Sequence, residues 1–267
     1  MRRCTWIAVL LLASLSLAGC RRPGGQRTVT IVTTPEVAGN GVAVMLAERF
    51  TRETQVPVSV LVTEERLVMP MVTKKLVDAV ITTSPDLQRA IQQSGAARLA
   101  NRFAFDDYLI AGPRRDRARV ASAKTATAAL QQIVRRDRPF CSPVDVSELR
   151  DREAKLWAAS GVKAEDDRRY RRCAGSAEEV LRESDRRDAY TITDRATFAR
   201  TRRLALVPLL ERTPLLHDDY SITLVERGGK HRKNGEWFVQ WVMSFRGREA
   251  IEAYRFDSER RLFVAEP

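Results

Sequence analysis

The stretch "TVTIVTTPEVAGNGVAVMLAERF" (residues 28–50) decides the fold. Its first seven residues are β-branched or hydroxylated and read as a strand. From Asn40 to Thr54 the apolar residues Val42, Met45, Leu46 and Phe50 fall on one face of a helix. Between strand and helix, Thr33 and Thr34 run into Pro35 and Glu36. Such strand-to-helix turns often hold tetrahedral anions, because hydroxyls and free backbone N–H groups converge there. Glu36 sits where an anion would approach.

The alternation continues outward. "VPVSVLV" (56–62) reads as a strand, followed by an apolar helix through Lys75 and then "DAVITTS" (78–84). "SPDLQRAIQQSG" opens with Ser84 as an N-cap, places Pro85 at the first helical position and ends on Gly95. "FAFDDYLIAGP" (103–113) is another strand. The pattern then predicts a helix near 124–135, a strand at 139–142, helices at 147–159 and 176–185, and strands at 188–193 and 203–207. "YSITLV" (220–225) is the next strand. "EWFVQWVMSF" places Trp237, Phe238, Trp241, Val242 and Phe245 on one side of a helix. Strands and helices alternating at this spacing predict an α/β fold with parallel strands.

The chain's beginning says where it works. Met1-Arg2-Arg3 is basic, Trp6 to Leu17 is apolar, and "LAGC" (17–20) follows. This reads as a secretory signal rather than a membrane span. The small residues before Cys20 resemble a bacterial lipobox, which implies cleavage before Cys20, lipidation of its thiol, and a protein held at the outer face of the cell membrane or in the periplasm. Residues 20–27, "CRRPGGQR", form a tether. Removing residues 1–19 leaves 267 − 19 = 248 residues, enough for one large domain or two lobes.

The chain carries 46 Lys and Arg against 34 Asp and Glu, a net charge of +12. Basic residues are interleaved with acids, as in "EDDRRYRRC", and no basic stripe carries aromatics between its charges. With the export signal, this argues against a nucleic-acid partner. Of four cysteines, Cys4 leaves with the signal and Cys20 takes lipid, so Cys141 and Cys173 remain. In an oxidising compartment two thiols point to a disulfide, the alternative being two separately buried thiols. His217 and His231 have no ligand-like spacing to either cysteine, so no metal site is expected. No nucleophile motif, metal triad or phosphate loop is present, no cofactor is implied, and an enzyme is not expected. Asp194-Arg195 reads as a structural ion pair at a strand end.

An exported, lipid-tethered α/β chain of this length implies a solute-binding protein with two lobes and a cleft between them. The resemblance then becomes specific. "DDYLIAGPRRD" (106–116), "ALQQI" (129–133), "FCSPVDVSELRDREAKLW" (140–157), "AYTITDRATF" (189–198), "LLHDDYSITLV" (215–225) and the tail "FVQWVMSFRGREAIEAYRF" with "RLFV" resemble the tungstate-binding proteins of ABC importers. The resemblance covers nearly all of the chain from Thr28. It implies a periplasmic binding protein-like fold, with lobe 1 formed by 28–111 and 213–267 and lobe 2 by 112–212. It also implies a monomer, a small polar solute (an oxyanion or an altered ligand), and partnership with importer membrane subunits.

The binding loops depart from that family. Its first loop is a run of Thr and Ser, of which Thr33 and Thr34 survive, while Pro35, Glu36 and Val37 replace the next three hydroxyls. Its glycine-rich second loop reads Glu64-Glu65-Arg66 here. In the second lobe Ser142, Asp145 and Ser147 remain, but Pro143, Val144, Glu148 and Leu149 stand for Arg, Gly, Gly and Thr. A glycine-rich helix start has become Cys173-Ala174-Gly175-Ser176. The resemblance therefore implies a ligand set of Thr33, Thr34, Glu36, Ser142, Asp145 and Ser147. It also places Cys141 and Cys173 beside neighbouring helix starts, within bridging reach. Loss of the loop arginine and gain of Glu36 disfavour an oxyanion and suit a ligand with a donor or positive group. The alternative is that the glutamates face solvent and the hydroxyls still cradle an anion.

Overall fold

The computed structural model describes residues 28–144, 147–164, 168–226, 232–255 and 263–265. The signal, the tether with Cys20, and Asp145 lie outside the described residues. The first strand, β1 (Val29–Thr33), runs parallel to β2 (Val58–Val62) on one side and β3 (Ala79–Thr82) on the other. β1 and β3 are buried along almost their whole length, whereas Leu61 and Val62 at the sheet edge are exposed. That is why β1 and β3 read as near-continuous apolar runs. Helices α1 (Pro35–Asn40), α2 (Val42–Thr54), α3 (Glu65–Thr73) and α4 (Pro85–Gln93) connect these strands.

The helix expected to start at Asn40 begins five residues earlier. Pro35 occupies the first turn of α1, where its missing N–H costs nothing. Gly41 then breaks the path with φ +84°, and the Val42 amide donates to Asn40 Oδ1 at 3.0 Å as α2 restarts. On α2, Leu46 and Phe50 bury into the lobe 1 core. The ring edges of Phe50 meet Trp237, Phe238 and Trp241 at 5.2–5.6 Å between centroids.

The expectation of a parallel sheet needs correction. After α4 the chain enters β4 (Ala97–Pro113), seventeen residues long and roughly 55 Å at strand rise. The other lobe 2 elements are α5 (Ala126–Arg135), β5 (Phe140–Pro143), α6 (Ser147–Ser160), β6 (Tyr170–Cys173), α7 (Ala177–Arg186), β7 (Thr191–Asp194), α8 (Arg195–Arg200) and β8 (Leu206–Leu210). The chain returns through β9 (His217–Val225), then α9 (Arg232–Met243), α10 (Phe245–Ala253) and β10 (Val264–Ala265). β9 lies antiparallel between β3 and β4, and β10 adds antiparallel to the far side of β4. The lobe 1 sheet is therefore mixed, in the order β10-β4-β9-β3-β1-β2. β9 enters from the other lobe at the cleft end of the sheet and so runs back antiparallel to both β3 and β4.

β4 belongs to both lobes. Up to Asp107 it pairs with β9, and from Tyr108 onward it pairs antiparallel with β7 and β8. Lobe 2 has its own core of Ile110, Leu130, Ile133, Phe140, Trp157 and Tyr190, with β5 and β6 parallel beside it. Cys141 on β5 and Cys173 on β6, two residues out of register with each other, are bridged, with Cα atoms 5.7 Å apart. Among the described residues no helix is long and apolar enough to cross a membrane.

Candidate functional site

The cleft opens where β1 and β7 end, β9 begins and β4 crosses between the lobes, and where the first turns of α1, α6 and α8 face one another. A cavity of about 510 Å³ lies there, lined by Pro35, Glu36, Gly39 and Glu64 of lobe 1 and by Glu148, Gly175–Glu178, Asp194, Thr197, Arg200 and Thr201 of lobe 2. Strand-to-helix turns gather at this edge because β1 and β7 run toward it and pass directly into α1 and α8.

Glu36, on the first turn of α1, is only 6 % exposed and turns into the cleft. The Tyr108 hydroxyl, from the crossover point of β4, donates to Glu36 Oε1. Across the cleft, Glu148 on the first turn of α6 accepts from the Thr34 hydroxyl at 3.0 Å. The Glu36 and Glu148 carboxyls lie within hydrogen-bonding reach of each other. Glu36 Oε2 and Glu148 Oε1 nevertheless meet no donor hydrogen among the described groups. Two carboxyls satisfy one another only when one is protonated, so the pair shares a proton, as buried dyads do. Burial drives Glu36 well above the usual carboxylate range, and the facing Glu148 charge adds to this. Glu148 is raised by burial, while the bonds from Glu36 and Thr34 pull it back.

One turn further along α6, Arg152 reaches from lobe 2 to Asp218 on β9, and its guanidinium lies 4.9 Å from the centre of the Tyr108 ring. Asp218 is 2 % exposed, and burial pushes it up to about 7 despite Arg152. Asp194 is buried and caps α8 by accepting from the Thr197 amide at 2.7 Å; burial raises it as well. Arg195 pairs with Asp107 at 2.7 Å rather than with Asp194, and also approaches Glu211 at 3.3 Å. Among the described residues, the cavity wall thus presents Glu36, Glu64, Glu148, Glu178 and Asp194 against a single cation, Arg200.

The residues singled out from the sequence divide between the cleft and the protein interior. Thr34 and Glu36 are at the cleft. Thr33 is not, because its hydroxyl donates to the Ile81 carbonyl at 2.9 Å, inside the sheet. Ser142 is not, because it donates to the buried Glu153 at 2.7 Å and accepts from the Tyr170 hydroxyl at 2.7 Å. Glu153 also accepts from Trp157 Nε1 at 2.7 Å, so a buried carboxylate behind α6 takes up the hydroxyl expected for the ligand. Ser147 begins α6, and Asp145 is outside the described residues. Glu65 accepts from the Ser84 hydroxyl at 2.7 Å, and Arg66 pairs with Glu64 in solvent instead of turning inward.

Tyr108, Arg152 and Asp218 escaped the sequence reading as site residues. One signal was available on α6: Glu148 and Arg152 are four apart and share a face beside the buried Leu149–Glu153–Leu156–Trp157 stripe.

A profile of the PBP superfamily domain matches residues 22–245. The chain belongs to the PBP superfamily. A tungstate-binding protein of Peptoclostridium acidaminophilum is 23% identical over 265 residues, covering 93% of this chain and 92% of that protein. The solved tungstate-binding protein of Desulfovibrio alaskensis G20 superposes with a TM-score of 0.79 at 23% identity, covering 90% of this chain and 98% of that one. The tungstate ABC transporter structure from Geobacter sulfurreducens gives 0.73 at 23% identity, covering 86% and 99%. At these identities the solved structures establish the shared two-lobed superfamily fold, and the chemistry of the cleft has to be read from its own residues.

Proposed function

We propose that this PBP superfamily member is the extracytoplasmic solute receptor of an ABC importer, anchored by lipid on Cys20, with a cleft remade for a ligand other than tungstate. The observation that carries the altered ligand is the Glu36–Glu148 pair. A buried oxyanion needs converging donors and positive charge. Here the Thr34 hydroxyl is spent on Glu148, and the half-buried Arg152 is spent on Asp218. The named relatives bind tungstate; in this chain a glutamate from each lobe stands at the cleft instead.

The test is calorimetric titration of the purified protein with tungstate, molybdate and sulfate, beside the double variant Glu36→Ser, Glu148→Gly. No tight binding is expected for the wild type, and measurable oxyanion binding for the double variant. Tight tungstate binding by the unaltered protein overturns the reading. Anchoring is tested separately: a radioactive fatty acid should label the wild type and not Cys20→Ala.

One observation favours a second reading, a non-transport binding or sensor module. The lobes are joined directly, by Thr34 to Glu148 and by Arg152 to Asp218. If the gene lies apart from any importer membrane and ATPase subunits, and their loss leaves its phenotype unchanged, this second reading replaces the first.

A further inference from the structure

We propose that the Glu36–Glu148 pair is a binding site for the primary ammonium group of a small aliphatic amine. The proposal rests on the reading of the chain as a solute receptor with an altered cleft, and it names the ligand class. Its basis is geometric. Glu36 is more than nine-tenths buried, faces the cavity, and its Oε2 meets no donor other than the facing carboxyl. Glu148 Oε1, from the opposite lobe, likewise meets none but Glu36. Two acceptors on opposite lobes, both from residues in the cavity wall, match a compact cation with several N–H donors. An ammonium bridging them would satisfy both oxygens and join the lobes, which is what ligand does in a two-lobed receptor.

The rest of the cavity selects the body of the ligand. Pro35, Gly39, Gly175 and Ala177 offer small apolar wall, and a volume of about 510 Å³ suits a small molecule. Glu64, Glu178 and Asp194 also line it, so a ligand carrying its own carboxylate is repelled. Among the described residues no group of three or more His, Cys, Asp or Glu is arranged to hold a metal ion. A two-carboxylate clamp therefore fits an organic cation better than a metal.

The exchange balances simply. The protonated pair carries one negative charge; the ammonium enters with its three hydrogens, and the shared proton leaves to solvent. The pair then carries two negative charges against the incoming cation. The groups around it keep their roles: Tyr108 donates to Glu36, Thr34 to Glu148, and Arg152 stays on Asp218. Glu65 and Asp151 face Glu148 from outside, and Asp194 and Arg200 lie across the cavity. Affinity should rise with pH, because the competing proton becomes scarcer.

The experiment is titration of the full chain with n-butylamine, 4-aminobutyrate and tetramethylammonium, with tungstate in a parallel arm. Running it in buffers of different ionisation enthalpy counts the protons released. Butylamine should bind with release of about one proton, and tenfold or more tighter than 4-aminobutyrate, which adds a carboxylate, and than tetramethylammonium, which has no N–H. Glu36→Gln and Glu148→Gln should each weaken it by about tenfold or more, the loss of one charge-assisted hydrogen bond. Folding of each variant is checked by the native far-UV spectrum. Absence of butylamine binding, binding without proton release, or equal binding of tetramethylammonium overturns the proposal. If neither amine nor tungstate binds, the amine assignment fails alone; if tungstate binds tightly, the altered-cleft reading fails with it.

Discussion

Asp218→Asn should flatten the pH dependence of this protein's stability. Asp218 has an ordinary value of 3.8 and is held at about 7 in the folded state, mainly by burial. The folded protein therefore binds the Asp218 proton more tightly than the unfolded chain does. The stability this contributes is fully present below about pH 4 and is lost as pH rises through 7. Between pH 5 and 7 the unfolded chain is almost fully ionised at this position, while the folded protein goes from protonated to half ionised. At about 1.36 kcal/mol per unit, the wild type should lose roughly 2.3 kcal/mol from this group alone. Glu36, raised in the same direction, adds to the loss. The surface carboxylates Glu53, Asp137, Glu179 and Glu183 are shifted downward and are already ionised at pH 5, so they do not oppose it. Below about pH 7 the folded wild type also holds Asp218 neutral, so Asn replaces it there with little loss to Arg152. Urea unfolding followed by far-UV circular dichroism, at constant salt from pH 5 to 8, measures the slope. The wild-type curve should fall with rising pH, and the curve of the Asp218→Asn variant should run flatter. Parallel curves, or wild-type stability rising across this interval, would refute the argument.

Three further outcomes are expected. Replacing Cys141 and Cys173 by alanine opens a loop of sequence separation 32 and should cost about 3–4 kcal/mol by chain entropy, read as a lower urea midpoint than the oxidised wild type. Gly41→Ala should lower stability by about 1–2 kcal/mol, because φ is +84° and the new Cβ would meet Arg200 Nη1 and Tyr254 Oη; a thermal melt identical to wild type would contradict it. Tyr108→Phe removes the donor to Glu36 Oε1 inside the cleft and should cost about 1–3 kcal/mol at neutral pH, checked by the same urea unfolding.

Local pattern settled much of this protein. The β-branched run at Val29–Thr33 and the alternation after it placed most strands and helices, because period and capping are properties of neighbours in sequence. Ser84 and Pro85 marked the start of α4, and Ser84 does accept from the Leu87 amide. The resemblance carried by segments such as "DDYLIAGPRRD" led to the superfamily that the profile match establishes. The two cysteines left after export arithmetic are bridged. Glu36, too, was visible as a carboxylate at a turn that elsewhere offers hydroxyls.

Other features depended on partners distant in the chain. The sheet is mixed because β9, more than a hundred residues after β4, inserts beside it, and no local period encodes which strand a returning segment will join. Thr33 and Ser142 looked like ligand groups, but whether a hydroxyl faces a cleft or a buried acceptor depends on Ile81 and Glu153. The dyad itself unites residues 36 and 148, and Glu36 is raised only because two separate helix starts are brought together with Glu36 away from water. Sequence decides which groups a chain carries and the local turns that present them. Burial and charge belong to the space between elements, and only the closed arrangement of the two lobes turns Glu36, Glu148, Arg152 and Asp218 into one electrostatic unit.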